Sequence, residues 1–369
     1  MSLKSFDFEP DSLESFAELP YRLYRNDENW IPPLRSSVLL DLQPTNPYFE
    51  HGRLRHFMRI EGGSAVSRAT AFIDKQLQHE GGGPIGLIGL FESEEDYGLA
   101  QDVLAAACDW LSGQGITKVL GPVSFSIWHS YRFRTQGHNE PSYYGEPYNP
   151  EYYPDFFTRF GFQPCKNFGV SVLDNEEEIR RYLEKQRQGY NRAKELGFRF
   201  RSFDHSRFDE ELELLYRIIV PNYRRFVGWT DLSLSNFRHI FGGLRRIYEP
   251  RLFHFAMTND GSPAGVMGGI PDLAAAFKGL GGRTNITGKI RFLWHKRKAN
   301  CFMASILSVA DDYQEKGISN ALTYLVHSSA LELGYRRGLH GPSALDNRST
   351  KLHAGSYLSR RYTVYDLEI

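Results

Sequence analysis

Apolar positions along the chain follow two spacings, and the order in which the spacings occur is repeated. Residues 54–60 and 65–73 are apolar-rich runs separated by Gly62-Gly63, the pattern of a β-hairpin. Another run at 85–91 predicts a strand, and Leu99, Val103, Ala106, Ala107 and Trp110 then recur at helical intervals. A strand at 116–120 closes this set before Gly121-Pro122. In the second half, runs at 252–257 and 264–270 flank the turn Asn259-Asp260-Gly261. A strand is predicted at 302–309, and Ile318, Leu322, Leu325, Ser329 and Leu333 mark a helix with Gly334 at its C-terminal cap. A strand near 336–344 follows. Helical periodicity precedes each strand set, at 13–24 in the first half and at 208–226 and 234–247 in the second, with Pro221 expected to break or kink the 208–226 helix. This order implies a mixed α/β sheet flanked by helices, and its repetition points to internal duplication.

Length and charge sharpen the division. At 369 residues the chain exceeds what one core usually supports, so two domains are expected. They are read as 1–173 and 198–369, joined by a charged helical connector at 174–197 whose Glu and Arg residues form a solvated face. Hydrophobic residues make up 41% and charged residues 24%, with mean hydropathy −0.45, which is ordinary for a globular protein. Net charge is zero and the isoelectric point about 7.2, so no general attraction to nucleic acid or anionic membrane follows. Cys108, Cys165 and Cys301 are too scattered for a disulfide framework or a zinc cluster, and fit a reduced cytoplasm. No apolar run approaches the roughly 20 residues of a membrane span, and the N-terminus has no signal-peptide core.

The junction between the 302–309 strand and its helix carries Gln314-Glu315-Lys316-Gly317-Ile318-Ser319. Free N–H groups and the helix dipole make such a junction suited to phosphate, and Gly317 and Ser319 let a ligand come close to the backbone. The spacing resembles the Gln/Arg-x-x-Gly-x-Gly/Ala pyrophosphate loop of the GNAT acetyltransferases. Tyr148-Asn149-Pro150-Glu151-Tyr152-Tyr153 leading to Phe160-Gly161-Phe162 resembles the segment around the fourth helix of that fold, and Asp346-Asn347 and residues 362–367 take the matching places in the second half. Together with Trp30-Ile31-Pro32-Pro33, Asn46-Pro47-Tyr48-Phe49 and Gly121-Pro122, the chain is similar to a bacterial family of about this length with tandem GNAT-like domains.

The resemblance implies an acyl-CoA-dependent N-acyltransferase, first of all an N-acetyltransferase, with acetyl-CoA or another acyl-CoA as cosubstrate and an unidentified small-molecule or peptide amine as acceptor. It implies that the main chain of Leu307 and Val309 lies beside the pantetheine arm and the acyl group. Gln314, Glu315, Lys316, Gly317, Ile318 and Ser319 would surround the diphosphate, and Asn347 would contact the arm. Tyr357 is the candidate for returning a proton to the departing thiolate. Trp128, Tyr131, Tyr143 and Tyr144 are expected to line the acceptor pocket. The first half departs from the pattern with Glu92-Ser93-Glu94-Glu95-Asp96-Tyr97, whose carboxylates would repel a diphosphate, so no cofactor is expected there. No general base is assigned, since Asp272, Asp311 and Asp312 read as turn residues or caps. The basic run Lys289, Arg291, His295, Lys296, Arg297 and Lys298 reads as a solvated loop, with a coenzyme A 3′-phosphate or RNA as other possible contacts. No metal motif and no nucleophile elbow occur, and neither a membrane nor a nucleic acid is expected as a partner. An aminoacyl-tRNA-dependent transferase of Fem type and a non-catalytic binding protein on the same fold stay open.

Overall fold

The computed structural model describes residues 2–78, 82–346 and 357–369. The first half runs β1 (Ser2–Phe6), α1 (Pro10–Leu23), α2 (Arg35–Asp41), β2 (Gly52–Glu61), β3 (Ser64–Gln78), β4 (Pro84–Ser93), α3 (Tyr97–Ser112) and β5 (Lys118–Gly121). Short strands β6 (Val123–Ser124), β7 (Ser130–Tyr131) and β8 (Phe133–Gln136) precede α4 (Tyr153–Phe160) and β9 (Gln163–Leu173). The second half runs α5 (Glu176–Glu195), β10 (Arg199–Ser202), α6 (Phe208–Asn222), α7 (Leu234–Phe241), β11 (Phe253–Met257) and β12 (Pro263–Pro271). It continues with α8 (Ala274–Leu280), α9 (Ile286–Lys298), β13 (Cys301–Val309), α10 (Ile318–Glu332), β14 (Arg337–Ala344) and β15 (Tyr357–Glu368).

The predicted hairpins β2–β3 and β11–β12 are both present and antiparallel, and β4–β5 and β13–β14 are both parallel, so the same plan is built twice. The closing strands are shared between the copies. A single sheet runs β1-β2-β3-β4-β5-β15-β9-β14-β13-β12-β11-β10, with β8 also paired to β15. The C-terminal strand β15 therefore pairs with β5 of the first half, Tyr365 opposite Gly121, while β9 pairs with β14 of the second, Leu339 opposite Val172. The hydrogen-bonded sheet runs on across the division expected at 173 and 198, since β9 pairs with β14.

Helices cover both faces. Ala100, Val103, Leu104, Ala107 and Leu111 of α3 pack with Phe157 of α4 on one face of the first half, and Leu13 and Phe16 of α1 on the other. In the second half Ile318, Leu322 and Val326 of α10 pack with Ile179 and Tyr182 of α5, and α6 contributes Leu212, Leu215 and Ile219 on the opposite face.

Two local expectations change, and the break expected at Pro221 is present. Helix α5 is more than a solvated connector: Ile179, Tyr182, Leu183, Gln186 and Ala193 are buried, while Arg180–Glu176 and Arg181–Glu177 ion pairs occupy its outer face. It starts on Asn175, whose side chain accepts from the Glu178 N–H at 2.9 Å, and Glu178 in turn accepts from the Asp174 N–H at 2.8 Å. Pro221 lies in the last turn of α6 and the helix ends one residue later. The basic run at 289–298 belongs to helix α9, not to a loop.

Candidate functional site

The two parallel strand pairs separate after a few residues, and the two forks are filled differently. In the first half β4 and β5 stay paired from Ile85–Lys118 to Leu87–Leu120. Beyond that, the strand β6 lies against β4: a Cβ added at Gly89 would collide with the Val123 carbonyl, and the Leu90 N–H donates to the Ser124 hydroxyl at 3.0 Å. That fork is occupied by the protein's own chain. Helix α3 is capped too, since Asp96 accepts from the Gly98 N–H at 2.7 Å. Glu92, from the acidic run, is turned inward to Tyr24, Tyr153 and Arg68.

The second fork is built from β13 and β14, which pair from Cys301–Arg337 to Ala304–His340. There β14 passes through Gly341-Pro342, leaves β13 and stays paired with β9, with Ser343 opposite Gly169 after a register shift. On its other edge β13 keeps its partner β12 through Val309, but the register slips between Gly268 and Gly269, so the extra residue is Ser305 on the bulged strand. From Ile306 to Val309 the strand has a partner on the β12 side alone among the described residues. Alternate residues of a strand turn both backbone groups to the same edge, so this stretch, which includes Leu307 and Val309, presents main-chain donors and acceptors to the fork.

The strand leads into a short 3-10 turn at Asp311–Tyr313, and α10 then starts from Gly317, which has φ +83° and no side-chain cap. Glu315 is also left-handed at φ +62° and is exposed, and the Lys316 ammonium lies 5.1 Å from the Tyr313 ring centroid. Gln314 donates to Asp311, and Ile318 is buried in the core against α5. Two features thus bear on an anion here. The first amides of α10 have no capping side chain, unlike those of α3. Gly317 is closely approached by protein: a Cβ there would lie 2.5 Å from the Gly189 carbonyl of α5. The glycine serves helix crossing as well as turn geometry, whereas the sequence suggested ligand approach alone.

On the opposite face of β13, Ser308 is held by α6. Its hydroxyl donates to the Ile218 carbonyl at 3.2 Å and accepts from the Asn222 amide at 2.8 Å. The next residue, Tyr223, stacks on Trp128 at 5.4 Å between ring centroids, and burial pushes its phenol up to about 12. Trp128, Tyr131, Tyr223 and Ile306 share one apolar cluster. Trp128 and Tyr131 are thereby brought from the first half to the open end of β13. Tyr223, Asn222 and Ser308 were not singled out from sequence; the apolar-polar alternation of 305–309 could have marked Ser308 as facing away from Leu307 and Val309.

Other sequence candidates lie elsewhere. Tyr143 is buried beside Tyr362, with 3.3 Å between the two hydroxyls, and the Tyr362 hydroxyl donates to Glu146, which also faces Arg134 and Arg360. Tyr144 stacks on Phe277 of α8 at 4.2 Å and its N–H donates to Asp272. Asp272 also accepts from Ala274 at the start of α8, so it is a cap, and burial raises its carboxyl above the usual range. Tyr357 pairs with Val172, in the row that runs through Leu339 to Met303, and it meets Asp174 and Arg337 at the closed end of the fork. Three strand spacings, about 14 Å, separate that row position from β13, because β9 and β14 lie between β15 and β13 in the sheet. Asn347 lies outside the described residues.

No protein-family model matches the chain. It is 27% identical over 336 residues to the bacterial ceramide synthase of Caulobacter vibrioides (strain NA1000 / CB15N), covering 89% of this chain and 86% of that protein. It is 22% identical over 381 residues to protein YghO of Escherichia coli (strain K12), covering 97% and 93%. Among solved structures, a tandem GNAT protein from the clavulanic acid biosynthesis pathway matches with a TM-score of 0.56 at 11% identity, over 100% of this chain and 98% of that one. A probable N-acyltransferase from Enterococcus faecalis V583 matches with a TM-score of 0.54 at 9% identity, over 100% and 73%. With its duplicated order of strands, two forks and full-length coverage of these neighbours, the chain has the tandem GNAT fold.

Proposed function

We propose that the chain is an acyl-CoA-dependent N-acyltransferase acting at the second fork, with a fatty acyl group passed to the amine of a long-chain acceptor. The observation that carries the reading is the contrast between the forks: the first is filled by β6 and its helix capped by Asp96, whereas among the described residues Ile306 to Val309 keep an unpaired edge leading to a helix with no side-chain cap. An extended pantetheine arm can continue the sheet along Leu307 and Val309, and a diphosphate can sit at the α10 amides around Gln314 to Ser319. An N–H on that edge can hold the thioester oxygen as negative charge develops on it. The amine attacks the thioester carbon, the C–S bond breaks, and the thiolate takes up the proton lost by the nitrogen. Tyr223, whose phenol burial keeps protonated, can relay that proton: its hydroxyl gives one to the thiolate and regains one from the nitrogen, ending as it began.

The acceptor and acyl length rest on the relative in Caulobacter vibrioides, whose name is a ceramide synthase. A ceramide is an N-acylated long-chain amino alcohol. The aromatic cluster of Trp128, Tyr131 and Tyr223 suits such a chain better than a small polar amine. The test is release of free thiol from palmitoyl-CoA and from acetyl-CoA, each with and without sphinganine. Amine-dependent release with the palmitoyl donor supports the proposal. Release with acetyl-CoA and short amines alone removes the fatty-acyl part, and no release with any pair favours a non-catalytic protein, for which the Gly189 carbonyl over Gly317 is the motivating feature.

A further inference from the structure

Four of the chain's large exposed apolar side chains stand on one helix. Ile286 is 78% exposed, Ile290 63%, Leu293 59% and Trp294 53%, all on α9. Their spacing, four, three and one residues apart, puts them on one stripe of the helix. The other side of α9 is fixed to the protein. Phe292 packs edge-on against Phe277 at 5.2 Å, Phe277 stacks on Tyr144, and Arg291 and His295 lie close over Gly279. The outward direction of the stripe is therefore set by the fold.

Charge surrounds that stripe. Lys289, Arg291, Lys296, Arg297 and Lys298 all lie on α9, which has no carboxylate, in a chain of zero net charge. Lys289 and Lys296 fall on one flank and Arg291 and Lys298 on the other by helical position, Arg297 closes the C-terminal end of the stripe one turn beyond Leu293, and Lys298 rests 3.6 Å from the Trp294 ring centroid. An apolar stripe with a tryptophan, bordered on both sides by long cationic side chains, matches the layered chemistry of a bilayer surface: acyl boundary in the middle, anionic headgroups at the edges. RNA would complement the cations but leave the isoleucines and leucine against water.

We propose that α9 lies in the plane of an anionic lipid bilayer surface and docks the protein there. At 13 residues α9 is about 20 Å long, and no described helix is long and apolar enough to cross a membrane, so the contact is interfacial. The helical hairpin α8–α9 is inserted between two sheet strands, β12 and β13, so the docking helix is joined in sequence to the strand that carries the fork. The contact itself does not depend on the acceptor's identity.

The experiment is flotation of the full-length protein with vesicles of 30 mol% phosphatidylglycerol in phosphatidylcholine, against pure phosphatidylcholine. The wild type should float with the anionic vesicles, and binding should fall at least tenfold in Ile290→Asp/Leu293→Asp and in Lys289→Glu/Arg297→Glu. Thermal unfolding of both variants should match the wild type, since all four side chains are exposed. Bromine-labelled acyl chains should quench tryptophan emission in the wild type and less in Trp294→Phe. Wild-type protein that stays at the bottom of the gradient overturns the proposal. So does a concentration-dependent dimer abolished by Ile290→Asp/Leu293→Asp, or single-stranded RNA binding without vesicle binding.

Discussion

Replacing Gly317 by alanine probes the point where the candidate phosphate corner and the helix crossing coincide. Two costs add. A non-glycine residue at φ +83° is disfavoured by about 1–2 kcal/mol. The new methyl would also lie 2.5 Å from the Gly189 carbonyl, an overpacking that typically costs about 1–3 kcal/mol. The expected loss is thus about 2–5 kcal/mol. Gly334→Ala supplies the control, because Gly334 has φ +92° with nothing within 4 Å of an added Cβ, leaving the backbone cost alone. A third variant tests the other side of the crossing. Gly189→Ala ought to stabilise α5 by helix propensity, by about 1 kcal/mol, yet its methyl would collide with the Asn320 Cβ. It should therefore destabilise, and Asn320→Gly, which removes that Cβ, should partly rescue it. Urea unfolding followed by circular dichroism and tryptophan fluorescence gives the midpoints. If Gly317→Ala costs no more than Gly334→Ala, and Gly189→Ala is neutral or stabilising, the tight crossing of α5 over α10 is wrong.

Three further outcomes follow from the geometry. Ser319→Glu adds a carboxylate in the first turn of α10, which should stabilise the helix by about 0.3–1 kcal/mol while weakening coenzyme A binding, measured by calorimetry; improved binding would argue against phosphate at this terminus. Glu146→Ala leaves the buried Arg134 and Arg360 without their carboxylate and should cost about 3–5 kcal/mol in urea unfolding; a cost under 1 kcal/mol would show that this ion cluster is not needed by the fold. His56, buried between Phe6 and Phe16, has its imidazole pulled down to about 3 by burial, so it stays neutral when folded and takes a proton when unfolded. Stability should rise with pH between about 3 and 6.5 and be lower by about 2 kcal/mol at pH 5 than at neutral pH from this residue alone; His56→Phe should flatten the melting-temperature profile over that window, and an unchanged slope would contradict the assignment.

The sequence made the elements and their repeated order readable because strand and helix periods differ and because Gly62-Gly63, Asn259-Asp260-Gly261 and Gly334 are strong turn and cap signals. It could not show which strands pair across a distance. Residues 163–173 and 357–368 each read as one strand, but nothing in their alternation says that β15 inserts beside β5, and that exchange is what moves Tyr357 away from the open end of β13. Of the acceptor candidates, Trp128 and Tyr131 reach β13, while Tyr143 and Tyr144 pack into a buried ion cluster and against α8; an aromatic-rich run looks the same in either setting. The loop at 314–319 was visible from its spacing. Its overlying partner, Gly189, was not, because a glycine within a charged helix carries no sign of what crosses it. The basic run at 289–298 was misread as a loop for a related reason: its apolar residues face outward, so it lacks the buried stripe by which a helix is recognised.

The central claim is that the fork of β13 and β14, and not that of β4 and β5, receives an acyl-CoA. A crystal structure with a non-hydrolysable palmitoyl-CoA thioether tests this directly. One ligand per chain is expected, with its acyl end beside Leu307 and Val309 and its diphosphate at the first amides of α10. Density at the start of α3, or a saturated crystal in which α5 still covers an empty corner at Gly317, would contradict it.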